Sequence, residues 1–349
     1  MAYCVGFDLD ETIGFFSTVD TCLLFLDPYS VFVYRAKLTK NPPSEELSAK
    51  LATAFDTFAV NLLEHEPKIE ILRPGILDIC KRLMMFKDQG KIRSVVVYSN
   101  NGNLIALKLA TKMIEKALGR PGELFCNHVD WYAPQRLTPI NTNAYNDLRV
   151  STPWLQKDGP EVYTWQPGRA IKTIRTLKNA FNEGMCEPGD VDINNDKILF
   201  FDDLVHTNIK KAIGPTNYFN VNPYKNNQDL EAIIQCFMSA MTTAGLIEDE
   251  EYFNYINDGA LANPKNISDV EKFIQDNKDA SSVNKYFIDD TSRIIKRLDA
   301  IFGAGDSNNS GNFVAPGKNN LNNFLVNRNG GKHRKSRRRK GRTVTRKRR

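Results

Sequence analysis

Tyr3-Cys4-Val5-Gly6-Phe7 runs without a break into Asp8-Leu9-Asp10-Glu11-Thr12. Five uncharged residues meet three acids within the next four positions. An apolar run that ends so abruptly reads as a strand buried on both faces, with its polar end at the rim of a sheet. Two later stretches repeat the pattern. Val95-Val96-Val97-Tyr98 ends at Ser99-Asn100-Asn101-Gly102, and Lys197-Ile198-Leu199-Phe200-Phe201 ends at Asp202-Asp203. Tyr218-Phe219-Asn220-Val221 is a short fourth strand.

Helical spacing fills the intervals. Arg73-Pro74-Gly75 is a turn before an amphipathic helix carrying Ile76, Leu77, Ile79, Cys80, Leu83 and Met84, and a second helix spans about 104–118. Helix, strand and helix in that order over 74–118 mark a parallel α/β sheet with helices on both faces. Asn41-Pro42-Pro43-Ser44 before Glu45-Glu46 starts another helix, with Leu47, Leu51, Ala54, Phe55, Phe58 and Leu62 at helical spacing. Pro167-Gly168 opens a helix carrying Ile171, Ile174, Leu177 and Phe181, and one more starts at about 209–214. Residues 22–34 are apolar and aromatic, broken by Asp27-Pro28, and read as a flap or short strands. Residues 120–166 read as a strand plus an irregular insertion.

The expected organisation is therefore an α/β domain over about 1–225 with insertions at about 15–70 and 120–166, then a helical region over 226–302. Its helices fall near 229–245, 249–257, 268–277 and 284–302. An Asn/Gly-rich linker, 303–331, and a disordered basic tail, 332–349, follow. Of the 47 Lys and Arg, 12 lie between Lys332 and Arg349, so the rest holds 35 basic against 41 acidic residues, a net of −6. The basic balance belongs to the tail. With no aromatic residue to stack on bases, the tail suits weak, salt-sensitive binding of nucleic acid or another polyanion.

Hydrophobic residues at 41% and charged residues at 25% describe a globular chain. No apolar run approaches the ~18 residues of a membrane helix, and the start Met1 to Asp8 lacks the basic opening of a secretory leader. The six cysteines (Cys4, Cys22, Cys80, Cys126, Cys186, Cys236) are scattered and form no C-x-x-C pair. That argues against a disulfide framework and a Cys/His zinc site, and for an intracellular compartment, cytoplasmic or nuclear. An Asn-rich linker joined to such a tail resembles proteins of large DNA viruses.

In an open parallel sheet the carboxyl ends of the strands share one edge, where ligands bind. Asp8, Asp10, Asp202 and Asp203 would converge there with Ser99. Such crowding is costly unless a cation offsets it. Hard oxygen donors suit Mg²⁺, which keeps several waters and binds phosphate as well.

These residues resemble the haloacid dehalogenase (HAD) superfamily. An apolar strand followed by D-x-D-x-T is matched by Asp8, Asp10 and Thr12, a strand ending in Ser or Thr by Ser99, and a strand ending in paired acids by Asp202 and Asp203. The run from Asp202 through Asn208, Ala212 and Gly214 extends the last match. The third family motif is a lone lysine near a helix start. Lys172 fits, with Lys157 and Arg169 as alternatives. Asp8-Leu9-Asp10-Glu11-Thr12 with Arg73-Pro74-Gly75 further resembles the NLI-interacting-factor-like, RNA polymerase C-terminal-domain phosphatase branch, although Ile13-Gly14-Phe15-Phe16 departs from it.

The resemblance, which spans about residues 3–222, implies a HAD-like Rossmannoid fold and Mg²⁺-dependent hydrolysis of a phosphate monoester on a protein or small molecule. Asp8 would be the nucleophile and Asp10 the general acid and base. Mg²⁺ would lie among Asp8, the Asp10 backbone carbonyl, Asp202 and Asp203. Thr12, Ser99, Asn100 and Lys172 would bind the phosphoryl group. Two other readings are a catalytically weak HAD-fold interaction module tethered to nucleic acid by its tail, and a nucleic-acid end phosphatase. Asn208 reads equally as a helix cap and as a site residue, and His206 as an exposed loop histidine.

Overall fold

The computed structural model describes residues 2–28, 42–130, 172–183, 192–226, 228–258, 264–277 and 286–303, with the backbone of 155–158 and 162–165. The expectations for 29–34, Pro167-Gly168, Arg169, Ile171, the linker from 304 and the basic tail fall outside those residues. The strands are β1 (Tyr3–Phe7), β2 (Ile92–Tyr98), β3 (Asn127–Val129), β4 (Leu155–Asp158), β5 (Val162–Trp165), β6 (Ile198–Asp202) and β7 (Tyr218–Asn220). Five of them make one all-parallel sheet in the order β3-β2-β1-β6-β7, and β4 and β5 pair antiparallel with each other.

The central strands carry apolar residues on both faces, and successive residues enter two separate cores as the pleat requires. Val5, Phe7, Val95, Val97, Leu199 and Phe201 enter one core. Cys4, Val96, Tyr98, Ile198 and Phe200 enter the other. Each Phe or Leu side chain so buried contributes about 1.5–3 kcal/mol. Phe7, Phe201 and Phe219 stack across three neighbouring strands with centroids 4.4 and 4.3 Å apart, and the Arg297 guanidinium covers the last ring at 4.2 Å. Gly6 leaves room on the opposite face. A Cβ there would stand 2.8 Å from the Phe200 ring and 3.0 Å from Leu177.

The helices are α1 (Ser17–Leu23), α2 (Glu45–Glu64), α3 (Glu66–Ile69), α4 (Ile76–Asp88), α5 (Leu104–Ala117), α6 (Ile174–Glu183), α7 (Thr207–Ile213), α8 (Leu230–Thr243), α9 (Glu250–Asp258), α10 (Ile267–Asp276) and α11 (Thr291–Gly303). The Ser44 hydroxyl caps α2 by accepting the Leu47 N–H at 3.1 Å, as the Pro-Pro-Ser-Glu-Glu start foretold. Leu177, Ala180 and Phe181 of α6 and Ile209 and Ile213 of α7 cover the Tyr98 and Phe200 face. On the other face α4 lies against β2, α11 along α4, and α2 along α8.

Three expectations need correction and one is met. The stretch from 22 read as a flap or short strands begins as the end of α1, and Phe25 is buried against Phe273, so its apolar character marks core. The strand expected within 120–166 is present and joins the main sheet as β3, held at its entry by the Glu115 carboxylate, which accepts the N–H groups of Gly122, Leu124 and Phe125. The helix read from Pro167 begins at Ile174, so Lys172 and Thr173 precede it. The last helix begins at Thr291 rather than 284. The helices after 226 share the apolar core of the sheet, and Met1–Ala304 is one compact unit. Phe302, near the end of α11, packs on Tyr3 of β1 at 5.0 Å.

Candidate active site

From β1 the chain passes outward through β2 to β3, and on the other side through β6 to β7. The order reverses between β1 and β6, the position where open α/β sheets bind ligands. Phe7 pairs with Phe201, and the Asp8 N–H donates to the Phe201 carbonyl at 2.8 Å. Asp8 and Asp202 are therefore delivered side by side, both buried.

Between them lies Lys172, 1% exposed, with Nζ 2.7 Å from Asp8 Oδ1 and 2.7 Å from Asp202 Oδ2. The Thr173 N–H donates to the Tyr98 hydroxyl at 3.1 Å, fixing the chain next to Lys172 against the end of β2. The rings of Phe200 and Tyr98 lie 5.6 and 6.0 Å from Nζ. Burial alone would favour the neutral amine, but Asp8 and Asp202 outweigh it and raise the lysine above its ordinary value. Lys157 belongs to the hairpin strand β4.

Asp202 is held at both oxygens: the Leu204 N–H donates to Oδ1 at 2.8 Å, and Lys172 and His206 Nε2, at 3.2 Å, face Oδ2. Burial pushes this carboxyl up, yet His206 and Lys172 hold it below the usual range. Asp8 goes the other way. Burial and the charge of Asp202 raise it despite Lys172. Burial and Asp8 push Asp10 up to about 7, against a hydrogen bond from Asn101 Nδ2 to its Oδ2 at 3.1 Å. Burial, Asp8 and Asp202 likewise raise Asp203 to about 7.

Asp8, Asp202 and Asp203 each offer an oxygen within 4.8 Å of the others. Burial raises three of the four carboxyls, and the negative excess of these acids and Asp10 over Lys172 raises them further. The donor set is all carboxylate oxygen. It fits a hard divalent cation such as Mg²⁺.

The other expected residues divide. Ser99 is buried directly after β2, and its Oγ accepts the Asn101 N–H at 3.0 Å, which leaves the hydroxyl proton to donate. Thr12 Oγ1 donates to Asp203 Oδ1 at 3.1 Å and accepts the Asp203 N–H at 3.0 Å, so its side chain serves the acid pair. Asn100 is exposed; its neighbour Asn101 makes the bond to Asp10. Asn208 is exposed and does not cap α7, whose N-cap is His206. His206 is not the exposed loop residue expected. The Tyr218 hydroxyl accepts its N–H at 3.0 Å and donates to the Leu204 carbonyl at 2.6 Å, curling the loop back over Asp202. Asn220 Nδ2 donates to the carbonyls of Asp202 and Asp203 at 3.3 and 3.0 Å. A polar residue in the short strand after paired acids was the only sequence signal for that brace.

The fold is a Rossmann-like parallel α/β sheet with an acidic cluster at its switch point. Comparison of the chain with family models, curated proteins and solved structures finds no match. Among the described residues no helix is long and apolar enough to cross a membrane.

Proposed function

We propose that the protein is a Mg²⁺-dependent phosphatase of HAD type, hydrolysing a phosphate monoester through an aspartyl-phosphate on Asp8. The observation that carries this reading is Lys172 bridging Asp8 and Asp202, with Asp10 and Asp203 beside them. Asp8, Asp202 and Asp203 would hold Mg²⁺, which would supply positive charge against the phosphoryl oxygens. Lys172 adds a second positive charge, and the Ser99 hydroxyl a hydrogen-bond donor.

An Asp8 oxygen attacks phosphorus and the bond to the leaving oxygen breaks, the leaving oxygen taking its proton from Asp10. A carboxyl raised to about 7 holds that proton near neutral pH. Asp10, now ionised, accepts a proton from water as the water oxygen attacks phosphorus. The bond between Asp8 and phosphorus breaks, releasing inorganic phosphate and restoring the Asp8 carboxylate and the protonated Asp10. The tail, 12 basic residues without an acid, supports a weak polyanion contact outside this chemistry.

The test is a panel of small phosphate esters, phosphopeptides and phosphorylated oligonucleotides, each with Mg²⁺ and with chelator. Hydrolysis that requires Mg²⁺ and is abolished by Asp8→Asn is expected. Turnover by folded Asp8→Asn above a few per cent of the original would overturn the nucleophile assignment, and no Mg²⁺-dependent turnover of any ester would overturn the reading.

A further inference from the structure

Glu11 stands between Asp10 and Thr12 with φ +59°, a left-handed conformation that a non-glycine residue holds at a cost. Its turn is closed by its own N–H donating to the Gly14 carbonyl at 2.7 Å, and by the N–H groups of Ile13 and Gly14 donating to the Leu9 carbonyl. The rest of the support comes from far along the chain. The Glu11 carbonyl accepts the Tyr224 N–H at 2.9 Å and Arg73 Nη1 at 3.4 Å, and its carboxylate pairs with Lys225 at 2.8 Å.

Arg73 is the hub. Its guanidinium also donates to the Asn222 carbonyl, and Nη2 meets Asp290 Oδ1 at 2.5 Å, with 1% and 5% of the two side chains exposed. Asp290 Oδ2 accepts the Asn222 N–H and Nδ2 at 3.0 and 3.2 Å and Arg293 Nη2 at 2.9 Å. Lys225 and Tyr286 exchange backbone hydrogen bonds of 2.9 Å, and the Phe287 ring lies under Arg73 and meets the Tyr224 ring edge to face. A buried ion pair is weak evidence of stability, because apolar residues of similar volume often do as well. What it supplies here is direction, since one planar guanidinium joins Asp290, Asn222 and the strained turn at once.

We infer that the Arg73–Asp290 pair positions the turn carrying Asp10, so that the segment around Asp290 is part of the catalytic apparatus. The inference rests on the phosphatase reading of the site. Both residues act through Glu11 and are positioning residues. Displacing a reacting group by about 1 Å costs on the order of 10²-fold in rate, so loosening this turn lowers turnover before it lowers stability.

The experiment uses the full chain with Arg73→Met and Asp290→Leu combined, which leaves neither a buried cation nor a buried anion alone. Hydrolysis of p-nitrophenyl phosphate, melting, and amide exchange at Glu11, Ile13 and Gly14 are read together. The expected result is a melting temperature near the original, kcat at least tenfold lower, KM within about twofold, and faster exchange at the three amides. A folded double variant with original kcat and original exchange would overturn the inference. Should the double variant not melt cooperatively, Arg73→Lys decides, because lysine keeps the charge but cannot fork to Asp290 and Glu11 together. Original kcat and exchange in that variant would likewise overturn it. If the original protein hydrolyses no phosphate ester, the phosphatase reading falls, while the exchange comparison still decides whether the pair holds the turn.

Discussion

Thr12 and Asp203 exchange two hydrogen bonds, hydroxyl to carboxylate at 3.1 Å and backbone N–H to hydroxyl at 3.0 Å, across 191 residues of sequence. The loop after the first strand thus orients the last acid of the site. Thr12→Val keeps the shape and removes both bonds. Groups that orient metal ligands typically account for 10- to 100-fold in affinity. The Mg²⁺ concentration giving half-maximal hydrolysis should rise about tenfold, with melting in chelator little changed. A titration with an unshifted midpoint would return Thr12 to the phosphate-binding role expected from sequence.

Lys172→Met removes the cation that faces Asp8 and Asp202 together. Taking one partner from a buried ionic cluster costs about 3–5 kcal/mol. The metal-free variant should melt well below the original protein. Mg²⁺ should raise its melting temperature by more than it raises the original's, because the ion then offsets charge that the lysine had offset. Equal Mg²⁺ shifts in the two proteins would show that the ion lies elsewhere.

Glu66 gives a pH test outside the site. One of its oxygens accepts the Leu72 N–H at 2.6 Å, and burial pushes its pKa up to about 8. The folded chain keeps a proton that the unfolded chain releases near pH 4.3, the ordinary glutamate value. Its contribution to stability is full below that value and is lost as pH rises through 8. Glu66→Gln retains an acceptor for Leu72 and has no proton to lose. Urea unfolding at pH 5 and pH 8.5 should show the original losing stability on the alkaline side by more than the variant does.

Gly75 has φ +82°, and a Cβ on it would overlap the Thr291 hydroxyl. Gly75→Ala should destabilise the protein by about 1 kcal/mol or more, since the left-handed backbone and the overlap both oppose it. Thr291→Ala in the same chain should recover part of that loss and leave the backbone part. Simple additivity of the two substitutions would mean that α11 does not press on this turn.

The three central strands were legible because each is buried on both faces and ends in a polar cluster; Asp8, Asp202 and Asp203 follow directly from that pattern. Lys172 was legible only as a lysine near a helix start that the family resemblance asked for, and the structure sets it between two of those acids. The edge strands were harder. Asn127–Val129 offers three residues, two of them polar. Helix α1 has no side-chain cap at Phe16, and its apolar surroundings hide any periodicity. His206 was misread because a loop residue after acids looks solvated until the Tyr218 hydroxyl turns it inward. The Arg73–Asp290 pair spans 217 residues, and no local pattern announces a partner at that distance.

That span has a meaning for how the chain is made. The residues that open the sheet leave the ribosome first, and Asp290 follows only after about 15–60 s at ordinary synthesis rates of ~5–20 residues per second. Until then Arg73 lacks the carboxylate that aims its guanidinium at the Glu11 turn, and the apolar surface that α8 to α11 will cover stays open to water. The site is therefore complete only after Asp290 has been made, rather than as each strand appears. Chains ending at 225 should be digested quickly by an added protease and hydrolyse no ester, while chains ending at 303 should resist digestion and work. Equal resistance of the two would mean that the sheet closes on its own.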